Sequence, residues 1–509
     1  MAFIMSFTQT NMEYDIVVVG GGVNGAGIAA DAAGRGLSVL LVEAKDLASA
    51  TSSQSSKLIH GGLRYLEHYE FRLVREALAE REVLLKKAPH IMWPLRFHLP
   101  HQPHLRPAWM IQAGLFLYDH LAKREILPGS RRLKLDAHSP LNNTMHTAFE
   151  YSDGWVDDAR LVVLNAMQAQ DKGADVLTYT QCTGATRVNE HWSITLQNEQ
   201  RGEFSVSARA LINAAGPWAI QFLDDVVAQR HNKHMRLVKG SHLVVPKIHD
   251  GEQAYILQNA DGRIVFVLPY EDDFSLIGTT DVNFTGDPRN VAIDQEETDY
   301  LIKITNEYFK TQVSVADIVH TFSGVRPLLA EEGADAQALS RDYEFKLTGD
   351  AQSALLLNIY GGKITTYRKL AEHAVNKLVT FFPHAESAWT AHEPLLGGDF
   401  ADPATLLKQL CERCPFIPLA TLKRYVRTYG SLTSHLLAEV KSEQGLGRDF
   451  GAGLYECELR YLQTHEFSKT LDDVLWRRTK LGLRQTELDM EALNRFFSAN
   501  QKAPETSAV

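Results

Sequence analysis

The segment VVVGGGVNGAGIAA (17–30) narrows the choice of fold more than any other part of the chain. It places Gly20-x-Gly22-x-x-Gly25 between an apolar, β-branched run, YDIVVV (14–19), and a small alanine-rich stretch from Gly25 to Gly36. The first run predicts a buried strand and the second a helix. A further apolar run, LSVLLVE (37–43), predicts a second buried strand, so the chain opens as a βαβ unit of a parallel sheet. In such a unit Gly20 permits the tight turn, Gly22 lets the backbone approach a pyrophosphate, and Gly25 lets helix and strand pack closely. The helix start then offers N–H groups and a positive dipole end to phosphate. Glu43 ends the second strand some twenty residues on, where a carboxylate accepts hydrogen bonds from ribose hydroxyls. The pattern selects a dinucleotide without saying which one.

A single core does not usually extend over 509 residues, so two or three domains are expected. Residues 48–57 are rich in Ser and Thr and read as a loop, and 71–87 carry helical spacing. Helix (159–171) and strand (175–179, 209–214) then return. Between 241 and 281 the runs HLVVP, RIVFVLP and FSLIGTT alternate with DG and DD turns, which predicts an antiparallel sheet. A helix is expected from Lys363 to about Phe381. Beyond about 386 the chain reads as helical and charge-rich, entered through the linker EPLLGGDFADPA.

Composition excludes several classes. Apolar residues at 45% and charged residues at 22% are those of a globular chain, and a net charge of -10 argues against nucleic acid as the main partner. Four cysteines (182, 411, 414, 457) cannot staple a chain this long, which fits reduced thiols and a cytosolic setting. The N-terminus lacks the features of a secretory signal, and no run approaches the ~18 apolar residues of a spanning helix. The expectation is a soluble protein or one lying on a membrane.

Residues 50–84, ATSSQSSKLIHGGLRYLEHYEFRLVREALAEREVL, resemble the aerobic, membrane-associated, FAD-dependent glycerol-3-phosphate dehydrogenases, within the wider class of D-amino-acid and sarcosine oxidases. The likeness continues in AAGPWA (214–219), KGSHLVVP (239–246), GTTD (278–281), SGVRPLL (323–329), SRDY (340–343) and YGGKITTYRKLAE (360–372). It implies a Rossmann-type FAD-binding domain with an antiparallel β substrate-binding cap, plus an all-α C-terminal domain. The boundaries expected are 1–385 for the oxidoreductase region, with a cap including about 239–330, and 386–509 for the helical domain. It also implies FAD as cofactor, glycerol 3-phosphate as substrate and ubiquinone as acceptor. A homodimer on the cytoplasmic side of the inner membrane, without a spanning helix, completes the implied picture.

Carried onto this chain, the resemblance assigns cofactor contacts to Gly20, Gly22, Asn24, Gly25, Glu43, Thr51, Ser52, Ser56, Lys57, Leu58, Gly61, Gly62, Gly216, Trp218, Gly361, Gly362, Lys363, Ile364 and Thr365. The Ser-rich loop supplies small side chains that can lie along a diphosphate and a flavin edge. Gly361 and Gly362 precede a helix expected to open at Ile364, whose positive end would favour an anionic reduced flavin. A phosphate dianion needs fixed cations, and arginine binds its oxygens in bidentate fashion. Arg64, Arg326, Arg341 and Lys363, with Tyr65 as a further donor, are the substrate candidates. A base for the C2 hydroxyl proton points to His60 or His242. An alkoxide held by Arg326 and Lys363 without a histidine base stays open beside them.

Residues 86–134 carry nine basic against two acidic residues, interleaved with Trp93, Trp109, Phe116 and Leu117. That pattern suits either an anionic lipid surface or a core helix (107–121) with solvated ends. No metal site is expected. Pro100 and Pro103 interrupt the spacing of His98, His101 and His104, and Cys411-x-x-Cys414 lacks a second pair. Two other functions remain open, a glycerol-3-phosphate oxidase using O2 and a non-catalytic flavin-binding membrane scaffold.

Overall fold

The computed structural model describes residues 12–102, 105–329 and 342–502. The opening unit forms as its sequence requires. Strand β1 (Glu13–Val19) leads through the glycine turn into helix α1 (Val23–Gly34) and back to strand β2 (Val39–Val42), which pairs parallel with β1. Ile16–Val19 of β1, all of β2 and most of α1 are buried, which explains why these runs lack the alternation of a half-exposed element.

The first sheet runs Glu344–Asp350, Ser353–Tyr360, Gly202–Asn213, β1, β2, Asp175–Leu177, with the hairpin Thr180–Val188/His191–Asn198 attached to Gly202–Asn213. Its central pairings are parallel, and the helices α1, Asp158–Asp171 and Tyr367–Leu378 carry buried faces into the core beside it. The glycine turn lies at the carboxyl end of β1, where open α/β sheets bind their ligands.

The second sheet is mixed and runs Val282–Phe284, Met235–Pro246, Phe274–Gly278, Ile264–Tyr270, Ala254–Gln258, Met92–Pro100, Thr147–Val156, Leu58–Ile59. His320–Leu329 pairs antiparallel with Met235–Pro246 along its length. The antiparallel strands expected between 241 and 281 are present. The sheet also recruits Met92–Pro100 and Thr147–Val156, which the sequence reading left outside it. Pro94 and Pro100 mask the strand signal of the first of these.

From Pro403 onward helices dominate, including Pro403–Arg413, Leu419–Tyr429 and Glu456–His465, and their apolar faces enclose a separate core around Leu410, Leu422, Tyr425, Leu459 and Leu462. Three short elements depart from expectation. The helix after the Gly361–Gly362 pair begins as a 3-10 turn, Ile364–Thr366, before the α-helix at Tyr367. Asp473–Arg478 is wound as a π-helix. The helix Ala108–His120, one of whose readings was a core element, buries only Leu115 and Tyr118.

Among the described residues no helix is long and apolar enough to cross a membrane. Nor do three or more His, Cys, Asp or Glu gather there as metal ligands. His104 lies outside the described residues. His98 contacts the Glu150 carboxylate, and the cysteines are free thiols.

Candidate active site

A cavity of about 2050 Å³ runs from the glycine turn between the two sheets. Its floor is built by backbone geometry. Gly20 has φ +115, and a Cβ there would fall 2.4 Å from the Ala214 carbonyl oxygen, so any larger residue would displace the turn. The Glu43 carboxylate accepts from the N–H of Gly21 at 2.6 Å and of Lys45 at 2.9 Å. Burial pushes that carboxyl up from its ordinary range while these N–H groups pull it down. The acid is thereby locked against the turn it follows in sequence. The Ser52 hydroxyl accepts from the Val23 N–H at 3.0 Å, so one N–H expected to face phosphate is already satisfied by the Ser-rich loop.

That loop is fixed at three further points. Thr51 donates to the Val325 carbonyl at 2.7 Å, Ser55 donates to Asp158 at 2.7 Å, and Ser56 meets His242 Nε2 at 3.0 Å. The far wall is the turn Gly361–Lys363. Gly361 and Gly362 have φ +69 and +96, and Asn24 of the glycine turn donates to the Gly361 carbonyl at 3.2 Å. The Thr365 hydroxyl accepts the His60 N–H at 3.2 Å.

Most of the assigned cofactor contacts line the cavity, including Gly20, Gly22, Asn24, Glu43, Thr51, Ser52, Ser56, Leu58, Gly62, Gly216, Trp218, Gly361, Gly362, Lys363, Ile364 and Thr365. The other three stand back from that lining. Lys57 is buried in an ion pair with Asp158 at 2.7 Å, a Cβ on Gly25 would fall 1.9 Å from the Gly20 carbonyl, and one on Gly61 would fall 2.4 Å from Leu78.

The cavity collects the substrate candidates from distant parts of the chain. Arg64, Tyr65, Arg326, Lys363, His60 and His242 all line it. Lys363 Nζ sits 3.8 Å from the centre of the Tyr65 ring, a cation–π contact across some 300 positions. The Arg326 guanidinium donates to Asp281 at 3.0 Å and to the Thr280 carbonyl at 3.0 Å. Asp281 was not singled out from the sequence, although GTTD was noted as a motif. Its role depends on pairing through space. Arg341 lies outside the described residues.

The two histidines differ in environment. His242 is 3% exposed, stacks on Phe322 at 4.7 Å between centroids, and leaves no room for a Cβ at Gly278. Burial, reinforced by the Lys57 and Arg326 cations, holds its imidazole well below the usual range, so it is neutral. His60 is half-buried, and its backbone N–H is held by Thr365, two residues after Lys363.

The residues fit an extended dinucleotide. Gly216, with φ +54, has nothing within 4 Å of where a Cβ would stand, and Asn24 Oδ1 finds no partner among the described residues. A dinucleotide cradle opening onto a pocket of cations and histidines fits an oxidoreductase, and the family match makes the class that of the FAD-dependent oxidoreductases. The FAD dependent oxidoreductase family matches residues 15–368, and the C-terminal domain of alpha-glycerophosphate oxidase matches 388–503. The chain is 56% identical to the glycerol-3-phosphate dehydrogenase of Pseudomonas aeruginosa over 471 residues, 92% of each chain. It is 55% identical to the aerobic glycerol-3-phosphate dehydrogenase of Escherichia coli, covering 92% of this chain and 94% of that one. The D-erythritol 1-phosphate dehydrogenase of Brucella abortus is 49% identical, with 95% and 97% covered. Among solved structures, the glycerol-3-phosphate dehydrogenase from Bacillus halodurans complexed with FAD aligns with a TM-score of 0.76 at 26% identity, covering 97% and 92%. The chain belongs to the glycerol-3-phosphate dehydrogenase family of FAD-dependent oxidoreductases, and its cofactor is FAD.

Proposed function

We propose that this enzyme oxidises sn-glycerol 3-phosphate at C2 to dihydroxyacetone phosphate and delivers the electrons to ubiquinone at a membrane surface, as a step of glycerol catabolism. The observation that carries this reading is that Arg64, Arg326, Lys363 and His60, from distant parts of the chain, all line the FAD cavity. FAD, when bound, supplies the hydride acceptor and holds the electron pair until the next acceptor arrives.

The chain supplies the rest. Arg64 and Lys363 offer fixed positive charge to the phosphate, and Arg326, pinned by Asp281, presents its guanidinium in one orientation. The resemblance adds Arg341 to this set. A general base works best with a pKa near the operating pH, and the imidazole of His242 is held too low for that. We assign the C2 hydroxyl proton to His60, with His242 orienting the Ser56 hydroxyl.

The acceptor is read from the apolar part of the cavity lining. Leu63, Leu66, Tyr69, Phe71, Met110 and Leu117 line it there, and Tyr69 is 80% exposed. An apolar wall reaching the surface suits an acceptor dissolved in lipid. Met110 and Leu117 belong to the basic stretch 86–134.

The test is spectroscopic. Anaerobic glycerol 3-phosphate should bleach the bound flavin, a ubiquinone analogue should restore its colour, and D-erythritol phosphate should bleach it more slowly. Failure to bleach would favour a non-catalytic scaffold. Peroxide released at the rate of the quinone assay would make the enzyme an oxidase.

A further inference from the structure

The helical C-terminal region contributes residues to the FAD cavity. Thr470, Asp472, Asp473 and Arg477 line the same cavity as Glu43, Lys45 and Tyr179. From this arrangement we infer that the segment 469–480 is a clasp that completes the binding site for the adenosine end of FAD, and that Arg477 and Arg478 position the loop carrying Glu43.

Adjacent residues of the π-helix Asp473–Arg478 converge on one carboxylate. Arg478 binds Asp46 in bidentate fashion, at 2.8 and 2.9 Å, and Arg477 Nε donates to the same group at 2.5 Å. Single π-turns inside helices are uncommon and concentrate at functional sites. Here the wider turn lets two neighbouring arginines reach the same acceptor. Asp46 and Arg478 are 1% and 0% exposed. Burying such a pair is expensive relative to apolar packing, which argues for a positional role.

Asp46 stands three residues after Glu43. Between them, the Lys45 N–H orients the Glu43 carboxylate at 2.9 Å and the Lys45 carbonyl accepts from the Tyr179 N–H at 2.9 Å. The Tyr179 hydroxyl returns to Asp473 at 2.7 Å, and Arg477 donates to Asp473 at 2.6 Å. The result is a closed ring of contacts, Glu43 loop to Arg477, Arg477 to Asp473, Asp473 to Tyr179 and Tyr179 back to the loop. Its chemistry suits the ligand. The sugar hydroxyls and the adenine amino group are donors, and the Asp472 carboxylate lining the cavity is an acceptor for them, Asp473 being already engaged by Tyr179, Thr470 and Arg477.

Linkage makes the idea testable, because a segment that improves FAD binding must itself be held by FAD. Hydrogen exchange on the full-length protein, stripped of flavin and then reconstituted with FAD, should slow at least tenfold in the amides of residues 470–478. Unchanged exchange there, with the glycine turn 20–25 protected, would overturn the clasp. Loss of protection at the glycine turn as well would instead remove the FAD site itself. In parallel, Arg477→Gln should raise the FAD dissociation constant at least tenfold while the melting temperature of the stripped protein stays close to wild type. An unchanged constant in a folded variant rejects the positioning role. Should Arg477→Gln fail to fold, Tyr179→Phe removes only the hydroxyl contact to Asp473 and should raise the same constant at least threefold, and an unchanged value there would likewise reject it.

Discussion

Asn24 and Gly361 are joined by a hydrogen bond of 3.2 Å across 337 positions, so the glycine turn after β1 and the turn Gly361–Lys363 share one contact. Neither turn has a side-chain core of its own, and the distance between them sets how an extended cofactor lies. Replacing Asn24 with Ala removes this contact, worth about 1 kcal/mol. The FAD dissociation constant should rise about fivefold, as read by flavin fluorescence on titration of the stripped protein. An unaltered constant would mean that the two turns hold their spacing without Asn24.

Arg326 bears on the substrate end. Its guanidinium is shared between Asp281 and the cavity, so on the proposed phosphate site Arg326→Ala would remove a charge-assisted contact worth roughly 1.5–3 kcal/mol. The Michaelis constant for glycerol 3-phosphate should rise and kcat/KM fall about tenfold to a hundredfold, with flavin retained. Arg326→Lys should recover little, because an ammonium cannot hold Asp281 and phosphate in the same fork. A Michaelis constant equal to wild type would place the phosphate elsewhere.

The two histidines separate on a pH profile. If His60 takes the proton, His60→Gln should lower kcat by about a hundredfold to ten-thousandfold and flatten the acid limb of kcat/KM. His242→Gln should keep that limb, since its imidazole is already neutral across the working range. An acid limb that survives in His60→Gln and vanishes in His242→Gln would reverse the assignment.

How much of this could be read from the chain depends on how local each cause is. The βαβ start was legible because strand, turn, helix and acid follow one another within thirty residues and each is dictated by its own sequence. Phe71–Lys87 was legible for the same reason, and its bounds coincide with the expected 71–87. Met92–Pro100 was not, because its two prolines read as breakers while its partners, Thr147–Val156 and Ala254–Gln258, lie far along the chain. At the site, residue types were readable but facing was not. Lys57 and Gly61 sit inside the motif that carries the resemblance, yet Lys57 is turned into the core and Gly61 against Leu78. Asp281 and Arg477 act through partners that only the folded chain brings near.

Stability should also depend on pH in a definite direction. Burial lowers His90 to about 3 and His249 and His320 to about 4, with Arg160, Lys247 and Lys57 adding to the effect in turn. In the unfolded chain the same groups titrate near 6.5. The unfolded state therefore binds more protons between about pH 6.5 and 4, and unfolding free energy falls as pH drops through that window. The contribution is fully present above pH 6.5. The melting temperature should decrease by several degrees between pH 7 and pH 5, and replacing His249 with Asn should shallow that decrease. A flat melting temperature over this range would mean that these imidazoles titrate normally in the folded protein.

The helix Ala108–His120 carries the last prediction. Trp109 and Phe116 are 69% and 63% exposed, and Met110 and Leu117 are each 40% exposed. A soluble surface seldom spends four large apolar side chains on one short helix, and a patch of this kind marks an interaction face. Arg106, Lys123, Arg124, Arg131 and Arg132 stand near it in sequence, all but Arg132 beside a carboxylate, and the excess of basic over acidic residues across 86–134 suits an anionic bilayer better than an apolar protein partner. Each aromatic buried in the interface would contribute roughly 1.5–3 kcal/mol, so the double variant Trp109→Ser/Phe116→Ser should lose at least tenfold in partitioning to vesicles containing phosphatidylglycerol. The wild type should bind neutral vesicles more weakly, and added salt should narrow that difference without abolishing binding, because the apolar contribution is not screened. Equal sedimentation of variant and wild type with anionic vesicles would take the membrane away from this helix.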